Sequence, residues 1–218
     1  MECFVIFVMA WCWFNATESK PHNVVGNFKA NHMEIVQEKI KILKNIKQYI
    51  FYPPENIKVV EEFEKYHKLE LPLFYKKFIT QISNGIEIKK DLDYLDEDIL
   101  IRFDFNSRDD VNDINCSLHK EFPLEKAEME FSNTDFEYCD ILNGTIQIKS
   151  TGCGNGILLI VKGKCKGQIW VDEIMSNGEI YPLNKNSCFE DWINNEIDRK
   201  IKNKKNDDFL TKFYNIFK

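Results

Sequence analysis

Three short apolar runs separated by glycine-rich turns lie within residues 143–192, and they constrain the fold more than any other part of the chain. Runs of this length joined by N-G and G-C-G-N-G segments are typical of neighbouring antiparallel strands. We predict strands at 145–149, 157–162 and 168–172. The middle run is apolar on both faces, as expected of a central strand.

Helical patterns precede and follow this sheet. Residues 33–50 form an amphipathic pattern that Pro53-Pro54 would end, and residues 55–68 form a second. Leu71-Pro72 begins a third helix, which Asn84-Gly85 would close with a left-handed cap. Ser187 suits the N-cap of a further helix. The expected buried positions are Ile35, Ile42, Leu43, Ile46, Tyr49 and Ile50 in the first helix, Ile57, either Val60 or Phe63, and Tyr66 in the second, Phe74, Tyr75, Phe78, Ile79 and Ile82 in the third, and Phe189, Trp192, Ile193 and Ile197 in the last.

The segment 86–140 has weaker periodicity. Alternation over 99–105 predicts a strand with Ile99, Ile101, Phe103 and Phe105 on one face. Phe122-Pro123-Leu124 is typical of a turn or a strand entry, and 125–137 fits a short helix or a loop. A basic stretch then separates the last core helix from an aromatic C-terminal segment.

Composition indicates one globular core domain with appendages, because 44% of the 218 residues are apolar and 29% are charged. The net charge of -6 argues against a nucleic-acid partner. Residues 87–137 carry sixteen Asp and Glu against six Lys and Arg, whereas residues 199–218 carry seven basic and two acidic side chains. We therefore expect a basic partner for the acidic middle of the chain. The seven cysteines lack zinc or disulfide spacing and are predicted to be reduced thiols of a cytoplasmic protein.

The N-terminus carries an apolar run, residues 3–14, which is too short to span a membrane. A secretory signal is an alternative that would make the protein exported, although no basic residue precedes the run and Phe14-Asn15-Ala16 is a poor cleavage site. An extension packed on the domain, or a start codon assigned too early, would explain the run equally well. We assign 1–31 to this extension and its linker, 33–200 to the domain and 201–218 to a basic, aromatic extension.

An ordered set of motifs within residues 55–200 resembles the Smi1/Knr4 family, also called the SUKH superfamily. The resemblance depends on the Leu71-Pro72 corner, Asn84-Gly85, Phe122-Pro123-Leu124, Gly152-Cys153-Gly154, Gly167-Gln168-Ile169-Trp170 with Asp172, Pro182, and Phe189 with Trp192. It implies a single α+β domain in which helices flank a mixed, mainly antiparallel sheet. It also implies a protein-binding role without enzymatic activity. Leu71, Pro72, Asn84, Gly85, Gly152, Gly154, Gly167, Trp170, Asp172 and Trp192 would be structural residues of that family.

Other chemistries receive less support from the sequence. G-C-G-N-G is followed by a strand, whereas a phosphate-binding loop needs a helix there. Cys153 has no histidine in a recognisable nucleophile motif, so a buried or hairpin-lining thiol is favoured. Residues 91–98 lack the glycine and glutamate of a calcium-binding EF-hand loop. We predict no catalytic residue, metal ligand or cofactor.

The acidic residues between 91 and 110 are the candidate partner-binding site. Carboxylates can occupy the positions of nucleic-acid phosphates in a basic nuclease groove, although a solubilising surface would have the same composition. Trp170 and Trp192 have a similar ambiguity, and we favour core positions over interface positions. The acidic candidates are Asp91, Asp93, Asp96, Glu97, Asp98, Asp104, Asp109 and Asp110.

Two functions follow from the resemblance. Bacterial members look like immunity proteins that bind and neutralise a cognate toxin, for example a nuclease, of a contact-dependent or polymorphic toxin system. Fungal relatives act as regulatory interaction proteins in cell-wall signalling, which is the alternative. The Asn-, Lys- and Ile-rich composition fits an AT-rich bacterial genome better.

Overall fold

A computed structural model describes residues 24–46, 48–89, 98–105, 117–129, 138–185 and 187–216. Within these ranges, side chains are described for all residues except 24–31, 128–129 and 205–216. The chain divides into the units Met1–Ile35 and Val36–Lys218, and both sheets lie in the second. The fold is α+β, as predicted. Within the described ranges, no helix is long and apolar enough to cross a membrane.

Helices and strands alternate irregularly along the chain. In order they are α1 (Val24–Lys44), β1 (Tyr49–Phe51), α2 (Ile57–His67), α3 (Leu73–Gln81), β2 (Ile86–Ile88), β3 (Glu128–Met129), α4 (Tyr138–Ile141), β4 (Thr145–Gly152), β5 (Asn155–Ile160), β6 (Ile169–Glu173), α5 (Ile174–Asn177), β7 (Glu179–Pro182) and α6 (Phe189–Ile216).

The main sheet has five strands in the order β3-β7-β6-β5-β4, with β1 and β2 forming a separate two-stranded sheet. All described pairs are antiparallel, so the expected mixture with parallel strands is wrong for this part of the chain. The three predicted strands are confirmed as β4, β5 and β6. As expected, β5 is central in position among these three and buried along most of its length.

Register assigns the two faces of the main sheet. Leu158 is opposite Trp170, and Asp172 is opposite Ile180, so these residues share one face. On this face they pack into a core with α4 and with the segment around Phe122. The ring centroids of Phe122 and Trp170 are 4.8 Å apart in an edge-to-face arrangement. The opposite face carries Ile157, Leu159, Ile169 and Val171.

Helix α6 packs against α3 through aromatic contacts and reaches the sheet at the end of β4. The ring centroid of Phe189 lies 4.9 Å from that of Tyr75 and 5.6 Å from that of Phe78. At the sheet, Glu196 accepts a hydrogen bond from Lys149 of β4. The predicted flanking of the sheet by helices is thus confirmed.

The first helix differs from its prediction at both ends and on its buried face. It begins at Val24, nine residues before the predicted start at Met33. It ends at Lys44, and residues 49–51 form β1 instead of a last helical turn. Val36, Ile40 and Leu43 face the core. Ile42, which was expected inside, is 52% exposed. The competing pattern of β1 explains the error, because Tyr49 is buried by strand pairing with β2 and not by a helix face.

Helices α2 and α3 form where expected, with smaller differences. In α2, Val60 and Phe63 are buried but Ile57 and Tyr66 are exposed, and His67 is buried instead. Asn56 caps this helix by accepting a hydrogen bond from the Lys58 amide. The left-handed cap predicted at Asn84-Gly85 is wrong, because α3 ends at Gln81 and its C-cap residue, Ile82, has a right-handed conformation.

The segment 98–105 is not a strand, contrary to prediction. Its regular pairing is a single bridge between Leu100 and Ile86. Ile101 turns to the other sheet and donates its amide to the Ile148 carbonyl at 2.9 Å. The alternating sequence pattern predicted a strand that does not form, because the segment divides its hydrogen bonds between two sheets. Ile99, Leu100 and Phe105 are nevertheless buried.

Three further elements depart from expectation. The two-residue strand β3 lies where a helix or loop was predicted, and β7 pairs it with the main sheet. Helix α6 continues for 28 residues without a break at the basic stretch. Cys188 directly precedes that helix, so Ser187 stands one residue outside the N-cap position.

Candidate functional site

The described residues include two of the eight acidic candidates, Asp98 and Asp104. Asp104 is exposed, whereas Asp98 is partly buried and its Oδ1 accepts a 2.7 Å hydrogen bond from the Ile88 amide. Asp98 therefore has a structural role as well as its charge. The other six candidates, Asp91, Asp93, Asp96, Glu97, Asp109 and Asp110, lie outside the described residues.

Hydrogen bonds join the described residues on the two sides of residues 90–97, which we call the first acidic stretch. The Ile86 amide donates to Leu100 at 2.7 Å, and the Ile99 amide donates back to Ile86 at 2.9 Å. With the Asp98 bond, these contacts join the end of β2 to the start of segment 98–105. The described residues on the two sides of 90–97 are thus joined to each other by hydrogen bonds.

A further acidic residue, Glu87, lies in β2. Glu87 accepts hydrogen bonds from the Tyr52 hydroxyl at 2.8 Å and from the Arg102 amide at 3.4 Å. The Arg102 guanidinium lies over the Tyr52 ring, 5.1 Å from its centroid. The hydrogen bond to Glu87, followed by burial, raises the pKa of Tyr52. These contacts connect β1, β2 and the segment 98–105.

The family-motif residues occupy structural positions. Leu71 and Asn84 are buried, and Pro72 directly precedes α3. The Asn84 side chain donates to Glu55 at 3.1 Å and to the Phe103 carbonyl at 2.9 Å. Gly85, Gly152, Gly154 and Gly167 all have positive φ. Trp170 and Trp192 are buried in the core, which is the position that the sequence favoured over an interface.

Asp172 is the buried carboxylate among the motif residues. Its Oδ2 accepts from the Tyr138 hydroxyl at 3.0 Å, and its Oδ1 accepts from the Ile174 amide at 3.1 Å. Burial raises the pKa of Asp172, and these two hydrogen bonds oppose the rise. Asp172 therefore joins β6 to α4 and α5.

Gly152-Cys153-Gly154 forms the hairpin turn between β4 and β5. Cys153 has φ 53° and Gly154 has φ 80°, which fits a type I′ turn. The segment is therefore a strand-joining turn, as predicted. Cys153 lies in the hairpin but is exposed, so the buried alternative is wrong. Cys153, Cys165 and Cys188 are free thiols, Cys139 is partly buried, and the other three cysteines lie outside the described residues.

A cleft of about 560 Å³ lies between the end of β4, the loop after β7 and the first turns of α6. Its volume falls in the range of small-ligand pockets. Polar, charged and apolar side chains share its wall. The lining residues are Lys149, Thr151, Ile157, Leu183, Asn184, Lys185, Ser187, Asp191, Trp192, Asn195 and Glu196.

A buried ion pair lies in the wall of this cleft. The Lys149 ammonium is 2.8 Å from Oε2 of Glu196, and the two side chains are 5% and 16% exposed. Arg199 donates to the same oxygen at 2.9 Å. Burial alone would raise the pKa of Glu196, but the hydrogen bonds from Lys149 and Arg199 outweigh it and hold that pKa below its ordinary value. Glu196 therefore stays ionised at neutral pH.

Sequence reasoning missed this cleft, although two signals were present. Lys149 interrupts the apolar run of β4, and a register shift beside it places the lysine opposite Ile157. Glu196 stands four residues after Trp192 on the face of α6 that meets the sheet. A lysine in a strand and a glutamate in the following helix, both at inward positions, predict a pair only once the helix has been placed on that strand.

Asp191 and Asn195 also lie four residues apart on α6, and both line the cleft. Asp191 Oδ2 accepts a hydrogen bond from the Cys188 thiol at 3.2 Å. Among the described residues, Asp191 Oδ1 and the Asn195 side chain make no further hydrogen bond. The cleft thus presents a carboxylate oxygen and an amide to solvent.

The resemblance to the Smi1/Knr4 family stays a prediction. Comparison of the chain with family models, with curated proteins and with solved structures gave no match in any of the three.

Proposed function

We propose that the chain is a non-enzymatic protein-binding domain that neutralises a cognate toxin by occluding a basic surface, in the manner of a bacterial immunity protein. The observation that carries the proposal is the concentration of negative charge in residues 87–137, sixteen acidic against six basic side chains. Part of that charge lies in residues 91–97, and the described residues on their two sides are joined by hydrogen bonds. We further propose that the protein acts in the cytoplasm.

The hydrogen bonds among the residues that flank the first acidic stretch support this proposal on energetic grounds. A charged segment that must become ordered on binding loses conformational entropy, which weakens the complex. Hydrogen bonds between Asp98 and Ile88, and between Ile86 and its partners Ile99 and Leu100, hold the residues that flank 90–97 before any partner arrives. The carboxylates of Asp91, Asp93, Asp96 and Glu97 are then candidates to pair with lysine and arginine side chains of a nuclease groove.

Charge reversal with a matched control tests the acidic surface. Asp91 and Asp93 are replaced together by lysine, and Glu61 and Glu62 on the exposed face of α2 are replaced by lysine in a second protein. Both changes alter the net charge equally. We expect only the first to slow association with the toxin, and the wild-type association rate to fall as salt rises. Equal effects of the two changes would count against a defined acidic site.

The partner can be sought by gene neighbourhood. A large secreted protein with a C-terminal toxin domain, encoded beside this chain, would be co-expressed with it. We expect survival of the host only when the intact chain is present, and a 1:1 complex on purification. Survival without complex formation would contradict neutralisation by occlusion.

A regulatory scaffold of the Smi1/Knr4 type is the second candidate. It is favoured by the continuation of α6 to Ile216, because residues 201–216 carry lysines and an aromatic series on a helical backbone. Such a helix can recruit partners through its apolar side chains. Deleting residues after Lys200 separates the two functions: it should abolish binding by a scaffold and spare the neutralisation of a toxin.

A further inference from the structure

Two pairs of side chains, each made of one carboxylate and one amide, lie on neighbouring parts of the surface of α6. Asn194 and Asp198 form one, and Asp191 and Asn195 form the other; the members of each pair are four positions apart in sequence, so they are neighbours on the helix surface. The order of acid and amide is reversed between the two pairs. Both pairs thus offer a carboxylate and an amide oxygen about one helical turn apart.

A lysine of this chain already occupies the first pair. The Lys39 ammonium of α1 donates to Asn194 Oδ1 at 3.1 Å and to Asp198 Oδ2 at 2.7 Å. The Lys39 side chain is 25% exposed in this position. The contact shows that a carboxylate and an amide spaced in this way on α6 can hold a primary ammonium between them.

The second pair faces the cleft. We propose that the cleft beside Asp191 and Asn195 binds a lysine side chain of a protein partner. Asp191 Oδ1 and Asn195 Oδ1 would accept from the ammonium group, as Asp198 and Asn194 do from Lys39. Unlike the acidic stretches, this site is made entirely of described residues, and it does not depend on the partner being a toxin.

The remaining lining of the cleft suits the rest of a lysine side chain. Ile157, Leu183 and Trp192 supply apolar wall on which the methylene stem can pack. Oε1 of Glu196 accepts no hydrogen bond from the described residues, so a second carboxylate oxygen lies in the same wall. Asn184 and Thr151 stand at the exposed rim, where they can bond the backbone of the partner.

Two cations of the cleft set the balance of charge. Lys149 is paired with Glu196, which offsets its charge locally. Lys185 is exposed in the loop after β7 and lines the same cleft. Its ammonium would repel an incoming lysine, so removing it should strengthen binding. The proposal therefore predicts changes of opposite sign at two residues of one cleft.

The test uses the full chain labelled with ¹⁵N and a capped five-residue peptide with a central lysine between leucines. A peptide with norleucine in place of lysine is the matched probe, since it keeps the apolar stem. Binding is followed through the indole N–H signal of Trp192, which is assigned with W192F. Peptide is added to ~10 mM, where a millimolar interaction is visible.

We expect the lysine peptide to shift this signal and the norleucine peptide to shift it at least threefold less at equal concentration. D191N should weaken binding about three- to fivefold, and K185Q should strengthen it about twofold. N195A should also weaken it. E62Q, which removes an exposed carboxylate on α2, should have no effect.

Several outcomes would overturn the proposal. These are equal binding of the two peptides, no shift with either, unchanged affinity in both D191N and N195A, or weaker binding in K185Q. A diamine that matches the lysine peptide in affinity would also overturn it, because the cleft would then be a site for free amines. Circular dichroism of each variant confirms that the fold is retained.

Discussion

At the scale of single residues, the pair of Lys149 and Glu196 has the largest expected effect on stability. Taking both groups out of water costs free energy, and their 2.8 Å contact offsets that cost. Removing one partner leaves the other charge buried without compensation. Exposed pairs such as Lys39 with Asp198 contribute much less, because water solvates the separated charges.

The variant E196Q is predicted to lower the free energy of unfolding by about 3 kcal/mol at about pH 7. The pKa of Glu196 is lowered in the folded state, so its stabilisation is present above the ordinary glutamate pKa and is lost as pH falls through the lowered value. The difference between E196Q and wild type should therefore shrink towards about pH 3. Urea unfolding at both pH values measures it.

The exposed pair supplies the control for this prediction. D198N should lower stability by less than about 1 kcal/mol at neutral pH. The double variant K149M/E196L, which removes both buried charges, should recover most of the loss. A loss in E196Q that persists unchanged in acid would show that packing, and not charge, is responsible.

Gly85 and Gly152 allow a test of why two motif positions require glycine. Gly85 has φ 136°, and a Cβ there would lie 2.9 Å from the Arg102 Cα. Gly152 has φ 87° with open space around its Cβ position. We predict that G85A costs about 2–3 kcal/mol, from strain and displacement of the Arg102 backbone, and that G152A costs about 1 kcal/mol from strain alone. Similar urea midpoints for the two variants would contradict this explanation.

At the scale of elements, local patterns predicted what local contacts determine. The hairpin of β4 and β5 was predictable because its turn requires the glycine at Gly154, which follows Cys153 at positive φ. The body of α3 was predictable because Tyr75, Phe78 and Ile79 recur at helical spacing and all face the core. Such signals lie within a few residues of each other in the chain.

Elements whose partners are distant in sequence were predicted poorly. Tyr49 fits a helical pattern, but β2 pairs with it across 39 positions of sequence, at Ile88, and makes it a strand residue. Ile101 fits a strand, but its amide bonds to Ile148 of a different sheet. The cleft was missed for the same reason, since Lys149 and Glu196 meet only after α6 has packed on β4.

The attachment of the first acidic stretch gives a prediction at this scale. D98A removes the acceptor of the Ile88 amide and should cost about 1–2 kcal/mol. Hydrogen exchange of that amide should become about tenfold faster, whereas D98N, which keeps an acceptor oxygen, should retain most of the protection. Unchanged exchange at Ile88 in D98A would mean that the aspartate does not hold the end of the stretch.

At the scale of the whole molecule, the segment 98–105 connects the two sheets. Leu100 forms its bridge with Ile86 of the two-stranded sheet, and the next residue, Ile101, donates its amide to Ile148 of the five-stranded sheet. Among the described residues, this bond is the direct backbone link between β4 and that segment. A two-stranded sheet alone is only marginally stable, so β1 and β2 depend on what they are joined to.

The variant I101P is predicted to uncouple the two sheets, because proline has no amide hydrogen to donate to Ile148. Amides of β1 and β2 should then exchange at least tenfold faster, while those of β5 and β6 keep their protection, since their own ladder is intact. I101A is the control, because it shortens the side chain but retains the amide. Equal acceleration in both sheets would show that they unfold as one unit, and equal effects of I101A and I101P would assign the coupling to side-chain packing instead of this hydrogen bond.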